Sequence, residues 1–196
     1  MDAVDNERNN SHMRIAGGKW RGRILKAPAG DAVRPTQDRV REALFSMLMH
    51  EVRGARFLDL FAGAGGVGLE ALSRGAEECT FVEIAPRHLA ILRANVAALA
   101  ADALCRLVRA DAFAWPDAFA GTPFDIAFAD PPYELGAERG CAGLLKSLAA
   151  RNVVREGGLF IAEMKSSLSP ADSPGWELCR DRVYGQTRLA VYRRGA

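Results

Sequence analysis

The chain has 196 residues, and its 26 lysines and arginines nearly balance 24 acidic residues, for a formal net charge of +2. This length is enough for one substantial hydrophobic core with a small appendage and too short for two such cores. No apolar run approaches the ~20 residues that cross a bilayer, and the polar N-terminus has no signal-peptide core. We therefore expect a protein of the cytoplasm without membrane-spanning segments.

The cysteines are dispersed and form no C-x-x-C pair: Cys79, Cys105, Cys141 and Cys179. The three histidines are equally scattered. Such spacing favours buried thiols over a disulfide framework or a zinc site, and we expect no metal.

Residues 1–12 lack a hydrophobic period, which predicts a disordered arm or a cloning remnant outside the fold. Residues 14–27 read as two short strands, a basic hairpin with one exposed aromatic residue, Trp20. Two strands this short are marginal alone, so the hairpin must dock on the rest of the protein. A helix follows, with Val40, Leu44 and Leu48 on one face. We expect residues 13–54 to form this extension and residues 55–196 to form the main domain.

Positive charge is concentrated in this extension. Residues 13–56 contain ten lysines and arginines against four acids, a local charge of +6. A surface that faces a polyanion explains this excess, and a solvated charged surface is the alternative. The candidate RNA-binding residues are Arg14, Lys19, Trp20, Arg21, Arg23, Lys26, Arg34 and Arg39.

The stretch FLDLFAGAGGVGLE, residues 57–70, reads as a strand, a glycine turn and the start of a helix. Glycines leave no side chain between the backbone and a ligand, and a helix N-terminus offers unpaired N–H groups with a partial positive charge. The turn fits the G-x-G-x-x-G spacing, and Glu83 follows Gly63 by 20 residues, as a ribose-binding acid should. This pattern indicates a nucleotide-like cofactor, although a close-packed glycine turn is the simpler alternative.

From Phe57 onward, predicted strands and helices alternate. Near-continuous apolar strands at 57–61, 79–83, 105–108, 125–129 and 159–163 predict a mostly parallel sheet covered on both faces. The tail alternates over Trp176–Tyr184 and Arg188–Arg193, which predicts an antiparallel hairpin closing the sheet. Ligands bind at the carboxyl ends of such strands, and Gly63, Glu83, Asp111 and Asp130 all fall there.

A second motif, Asp130-Pro131-Pro132-Tyr133, follows the strand at 125–129. The prolines fix φ and remove two donors, so the Asp130 carboxylate and the Pro131 carbonyl can both accept hydrogen bonds from one exocyclic amine. Holding the amine in this way favours a pyramidal nitrogen aimed at an electrophilic methyl group. Tyr133 can stack on the base. A rigid Pro-Pro turn without chemistry is the alternative reading.

Taken together, DLFAGAGGVG, Glu83, Asp111 and DPPY resemble the S-adenosylmethionine-dependent methyltransferases of amino nitrogens. The block RIAGGKWRGRILKAP, the block RPTQDRVREALFSML and the tail VYGQTRL look like one branch, the bacterial 16S rRNA (guanine-N(2))-methyltransferase family RsmD. The resemblance extends from Met13 to about Arg193, and the N-terminal block distinguishes the branch from the wider superfamily.

The resemblance implies a Rossmann-like α/β fold with seven strands, S-adenosylmethionine as methyl donor and 16S rRNA as substrate, alone or in a small-subunit particle. It implies that Glu83 binds the ribose hydroxyls and that Asp111 binds the adenine amino group. It further implies that Asp130, Pro131 and Tyr133 hold the target guanine. The candidate cofactor-binding residues are Asp59, Phe61, Ala62, Gly63, Gly65, Gly68, Glu83, Asp111 and Ala112. We expect a monomer.

Three other functions compete with this interpretation. An adenine-amino DNA methyltransferase shares the Asp-Pro-Pro-aromatic motif but needs a target-recognition region for which the chain has little room. An RNA-binding assembly factor with a vestigial cofactor site would not require the acids and glycines to be intact. A NAD-dependent oxidoreductase would need a second, substrate-binding domain, and the remaining chain is too short for one.

Overall fold

The structure is a computed structural model that describes residues 13–28, 35–131 and 140–196. The predicted N-terminal arm, Arg34 and Tyr133 lie outside the described residues. The described strands are β1 (Met13–Arg14), β2 (Ile24–Leu25), β3 (Arg56–Leu60), β4 (Glu78–Glu83), β5 (Cys105–Arg109), β6 (Phe124–Ala129), β7 (Val154–Lys165), β8 (Trp176–Tyr184) and β9 (Thr187–Arg194). The described helices are α1 (Pro35–Met47), α2 (Gly66–Ser73), α3 (Pro86–Ala98) and α4 (Cys141–Ala150).

Seven of these strands form one sheet in the order β5-β4-β3-β6-β7-β9-β8. β3 to β7 run parallel, and β9 is antiparallel to both of its neighbours. The arrangement confirms the predicted Rossmann-like sheet and its C-terminal antiparallel hairpin. β1 and β2 pair separately as a small antiparallel hairpin.

Both faces of the sheet are covered, which explains why the central strands are apolar at consecutive positions. Phe57 and Leu58 of β3 are both fully buried, and they belong to different hydrophobic clusters on opposite faces. One cluster includes α1, α2 and α3. The other includes α4 and a short 3₁₀ helix at Trp115–Ala118. A side chain on either face thus gains the free energy of apolar burial.

The N-terminal extension shares its core with the sheet. Ile15 and Leu25 of the hairpin region are buried in the same cluster as Val40 and Leu44 of α1 and Phe57 of β3. This packing meets the expectation that two short strands require a docking surface. The domain boundary at residue 54 stays a prediction, because the apolar contacts cross it.

The prediction for β7 was wrong at its start. The sequence pattern placed the first residue at Leu159, whereas β7 begins at Val154. A register shift against β6, between Phe124 and Ile126, accommodates the extra residues. Charged and glycine residues at 155–158 hide this strand from a search for apolar periodicity.

Candidate active site

Three adjacent strand ends carry the predicted site residues. Leu60, the last residue of β3, pairs with Val82 of β4 on one side and with Ala129 of β6 on the other. The next residues along these strands are Phe61, Glu83 and Asp130. The register therefore brings the glycine turn, the predicted ribose-binding acid and the Asp130 motif to one edge of the sheet, where ligands bind in folds of this kind.

The turn after β3 has a backbone that few residues adopt. Phe61 lies at φ 63° and Gly65 at φ 87°, both in the left-handed region. A Cβ at Gly65 would come within 2.3 Å of the Leu92 side chain of α3, so this position requires glycine. Phe61 is the unusual case, since a non-glycine residue at positive φ is strained and such strain concentrates at functional sites. Its ring contacts Phe113 edge to face, with centroids 5.0 Å apart.

Gly63 faces space that the described residues leave open. No atom of a described residue lies within 4 Å of a Cβ built on Gly63, although its φ is 54°. Its N–H donates to the Glu83 carboxylate at 2.8 Å, and the other oxygen of Glu83 accepts the Ala85 N–H at 2.7 Å. Each carboxylate oxygen has a second lone pair, so Glu83 can still accept bonds from two hydroxyl groups. The backbone cradle and the acid thus fit a ribose-bearing cofactor.

Several predicted cofactor-binding residues shape the turn. Asp59 is 2% exposed, and its carboxylate accepts the Gly68 N–H at 2.8 Å beneath the turn. The N–H of Gly65 donates to Ala62, whose own N–H donates to Val82. These hydrogen bonds give Asp59, Ala62, Gly65 and Gly68 a role in shaping the turn, and their contact with the cofactor stays a prediction. The N–H groups of Gly66 and Val67, in the first turn of α2, have no hydrogen-bond partner among the described residues.

The far side of the cleft follows β5. Asp111 is exposed, and its Oδ1 accepts the Phe113 N–H at 2.9 Å, whereas its Oδ2 has no hydrogen-bond partner among the described residues. Ala112 is buried in the hydrophobic cluster beneath, so its side chain does not line the cleft. Ile84, directly after Glu83, is 61% exposed. An exposed apolar side chain beside a polar cradle suits the face of a planar base.

Asp130 lies among carboxylates. β6 and β7 pair Ala129 with Ala162, so Asp130 and Glu163 follow as neighbours on adjacent strands. Asp130 is exposed, yet the surrounding protein removes enough water to raise the pKa of its carboxyl to about 6. Burial, and then the charge of Asp130, raise the pKa of Glu163 to about 8. Burial also raises the pKa of Asp59 to about 7, against the Gly68 hydrogen bond, with further increases from Asp130 and Glu83.

Sequence reasoning missed Glu163 and Ile84. Glu163 lies inside an apolar strand and matches no motif, and its position beside Asp130 depends on the register between β6 and β7. Ile84 could have been found, because it directly follows the predicted ribose-binding acid.

The candidate RNA-binding residues fall into two groups. Arg14 donates to the Gly22 carbonyl within the hairpin, and Arg23 donates to the Ala98 carbonyl at the end of α3. Both guanidinium groups thus already have protein partners. Arg21, Lys26 and Arg39 are exposed, and their side chains have no ionic partner among the described residues.

Trp20 is half-buried and packs against the core, with the Lys19 ammonium 4.2 Å from its ring centroid. Trp20 is thus less exposed than predicted and contributes to hairpin docking, while its contact with RNA stays a prediction.

Within the described ranges, no helix is long and apolar enough to span a membrane. The same residues contain no group of three histidine, cysteine or acidic side chains arranged to hold a metal ion.

Comparison with known proteins places the chain in a family. The family model described as "Conserved hypothetical protein 95" matches residues 13–193. The chain is 37% identical over 191 residues to Ribosomal RNA small subunit methyltransferase D of Escherichia coli strain K12, covering 97% of this chain and 94% of that protein. It is 36% identical over 185 residues to YlbH of Bacillus subtilis strain 168, covering 93% of this chain and 99% of that protein.

A solved structure of the Escherichia coli protein yhhF superimposes with a TM-score of 0.84 at 38% identity. The superposition covers 94% of this chain and 99% of that one. This likeness agrees with the strand order and with the match of the family model across the N-terminal hairpin. The chain belongs to the RsmD family, whose model is described as conserved hypothetical protein 95.

Proposed function

We propose that this protein methylates ribosomal RNA, and specifically that it transfers a methyl group from S-adenosylmethionine to the exocyclic N2 amine of a guanine in 16S rRNA. The name of the Escherichia coli relative supports a small-subunit rRNA substrate. The observation that carries the proposal is the register of β3 and β6, which sets the glycine turn and Asp130 at adjacent strand ends.

The residues around the glycine turn would hold the cofactor. The open space beside Gly63 admits a ligand against the backbone, and Glu83 keeps free lone pairs for ribose hydroxyls. Ile84 offers an apolar surface to the adenine ring, and Asp111 has an oxygen free for its amino group. When bound, S-adenosylmethionine supplies an electrophilic methyl group on a sulfonium centre.

Asp130 would orient the target amine. Its carboxylate and the carbonyl of Pro131 accept the two N–H bonds of the amine, which directs the nitrogen lone pair toward the methyl group. The amine carries one extra proton after transfer, and the Asp130 carboxylate or water accepts it. Tyr133, outside the described residues, stays a predicted stacking partner of the base.

The target base must leave its stack to reach a pocket at the sheet edge, and the free energy required for this is smaller in unpaired RNA. Arg21, Lys26 and Arg39 are exposed cations without ionic partners among the described residues, and they would contact phosphates of the RNA. Phosphate contacts of this kind set the register of the RNA without reading its sequence.

A labelled methyl-transfer assay tests the proposal. The protein is incubated with S-adenosylmethionine carrying a labelled methyl group and, separately, with small ribosomal subunits, naked 16S rRNA and double-stranded DNA. The nucleic acid is then digested and the labelled nucleoside identified. Labelled N2-methylguanosine from either rRNA substrate is the expected result. Labelled methyladenosine in DNA would support the adenine-specific alternative, and RNA binding without transfer would support an assembly factor.

A further inference from the structure

The N-terminal hairpin is attached to α2 by a first set of hydrogen bonds. The N–H groups of Ala16 and Gly17 donate to the buried Glu70 carboxylate at 2.7 and 2.8 Å. The Trp20 N–H donates to the Ser73 hydroxyl at 2.9 Å, and that hydroxyl donates to the Gly17 carbonyl at 2.6 Å. This attachment lies along α2 and does not touch the glycine turn.

A second attachment passes through one side chain of α3. Asn95 is 1% exposed, and its Oδ1 accepts the Lys26 N–H at 2.8 Å. Its Nδ2 donates to two carbonyl oxygens, those of Lys26 and Ala64, both at 3.0 Å. An amide has two N–H donors, so Asn95 has none left over.

The two carbonyls that share this amide belong to different functional elements. Lys26 ends the hairpin, and its side chain is one of the exposed cations without an ionic partner among the described residues. Ala64 lies in the glycine turn between Gly63 and Gly65. Leu92, one helical turn before Asn95, packs against Gly65, so α3 supports the turn at two consecutive points.

We propose that Asn95 is a positioning residue that couples RNA contact at the hairpin to cofactor binding at the glycine turn. This inference rests on the function proposed above. A buried polar group left without its partner destabilises the folded state. The amide therefore favours the state in which Lys26 is docked and the Ala64 carbonyl is in place together. A ligand that orders either element reduces the cost of ordering the other, and such coupling is reciprocal.

Binding measurements on the full chain test the coupling. The affinity for S-adenosylhomocysteine is measured with and without saturating in vitro-transcribed 16S rRNA. In the wild-type protein we expect RNA to raise this affinity about fivefold, within the usual range of coupling between sites. In Asn95→Ala we expect a lower affinity for S-adenosylhomocysteine without RNA, because the shared amide is absent. For the same reason we expect the coupling ratio, which is the affinity with RNA divided by the affinity without RNA, to be close to one.

Ser73→Ala is the matched control. It removes two hydrogen bonds of the hairpin but none of the glycine turn. We expect weaker RNA binding, cofactor affinity within about twofold of the wild type and an unchanged coupling ratio, as additivity of distant sites requires. Equal loss of coupling in both variants would overturn the role of Asn95, since hairpin docking in general would then suffice.

Hydrogen exchange on the wild-type protein provides a test that needs no variant. S-adenosylhomocysteine should slow exchange of the Lys26 amide, which bonds to Asn95, more than exchange of the Trp20 amide, which bonds to Ser73. Equal slowing of exchange at both amides would overturn the inference. So would slower exchange of the glycine-turn amides without slower exchange of the Lys26 amide. If Asn95→Ala fails to fold, this measurement and Asn95→Ser, which keeps one small hydrogen-bonding group, decide the question.

The outcomes separate the inference from the function on which it rests. Wild-type protein that binds both ligands without any coupling contradicts the role of Asn95 and leaves the methyltransferase proposal standing. Wild-type protein that fails to bind S-adenosylhomocysteine, or that binds neither the naked 16S rRNA nor small ribosomal subunits, contradicts the proposed function and the inference with it.

Discussion

The Glu83 carboxylate accepts a hydrogen bond from the Gly63 N–H at 2.8 Å, across the ends of two neighbouring strands. A residue predicted to bind ribose thus also sets the position of Gly63, whose backbone is predicted to face the cofactor. The acid and the glycine turn form one unit before any ligand arrives, so the cofactor would meet a preorganised surface.

Replacing Glu83 with glutamine should weaken cofactor binding. The amide replaces one charged acceptor by an N–H donor that faces a backbone N–H, and hydrogen bonds to charged groups contribute about 1.5–3 kcal/mol each. We expect the affinity for S-adenosylhomocysteine, measured by calorimetry, to fall by ~10-fold or more. Glu77→Gln, an exposed residue that precedes β4 at its opposite end, serves as control and should bind as the wild type does.

Alanine at Gly63 should prevent cofactor binding, whereas alanine at Gly65 should also destabilise the fold by overpacking. At Gly63 the new methyl group enters open space where the cofactor would lie, so binding should be lost while stability falls by only about 1 kcal/mol from the positive φ. At Gly65 the methyl group meets Leu92 at 2.3 Å, and overpacking of this kind costs a further ~1–3 kcal/mol. Thermal melting and calorimetry on both variants separate these effects. Normal cofactor affinity in Gly63→Ala would show that the cofactor does not occupy this space.

Asp130→Ala should abolish methyl transfer and leave cofactor affinity within a few-fold of the wild type. The carboxylate would hold the amine, whereas the cofactor contacts come from the turns after β3, β4 and β5. Single-turnover assays with saturating RNA measure the rate of methyl transfer, and binding of S-adenosylhomocysteine measures the cofactor affinity. Asp172→Ala, at an exposed position, is the control. Transfer at the wild-type rate would remove Asp130 from the mechanism.

Arg21→Glu should weaken RNA binding and reduce its dependence on salt. Each phosphate contact contributes about 0.7–0.9 to the slope of log affinity against log salt concentration. Cofactor affinity should not change, because the Arg21 side chain makes no hydrogen bond or ion pair with another described residue. The charge-matched control is Arg182→Glu, on β8 at the edge of the sheet. A salt slope that is the same in both variants and the wild type would assign the hairpin a structural role alone.

Glu163→Gln should change how stability depends on pH. The folded-state pKa of Glu163 is raised to about 8 from an ordinary value of 4.5, so between these values the folded state binds more protons than the unfolded state. The contribution of Glu163 to the free energy of unfolding is fully present below pH 4.5 and is lost as the pH rises through 8. Within this window the free energy of unfolding falls by at most ~1.4 kcal/mol per pH unit. The free energy of unfolding of the variant relative to the wild type should therefore rise across this window and then level off.

Urea unfolding at several pH values measures the difference. Asp59, with a raised pKa of about 7, contributes the same sign in both proteins and largely cancels in the comparison. Glu177→Gln on the exposed face of β8 should follow the wild type at each pH. A constant difference between Glu163→Gln and the wild type would show that the Glu163 carboxyl ionises normally.

The sequence by itself determined the alternation of strands and helices, the glycine turn and the Asp130 motif. These features depend on short-range patterns: apolar runs predict buried strands, and a glycine cluster after a strand predicts a turn. Glu83 and Asp130 were identifiable because each follows an apolar run directly.

The tertiary structure decided which groups meet. Strand register places Glu163 beside Asp130 and Glu83 beside Phe61, and register is a property of pairing that one strand's sequence does not contain. It also decided that Asp59 and Gly68 bond to each other beneath the turn, and that Trp20 packs inward. Asn95 shows most clearly what the sequence does not predict, because a lone asparagine in an amphipathic helix belongs to no recognisable motif. Only folding brings Lys26 and Ala64, which are 38 positions apart in the sequence, to the same amide.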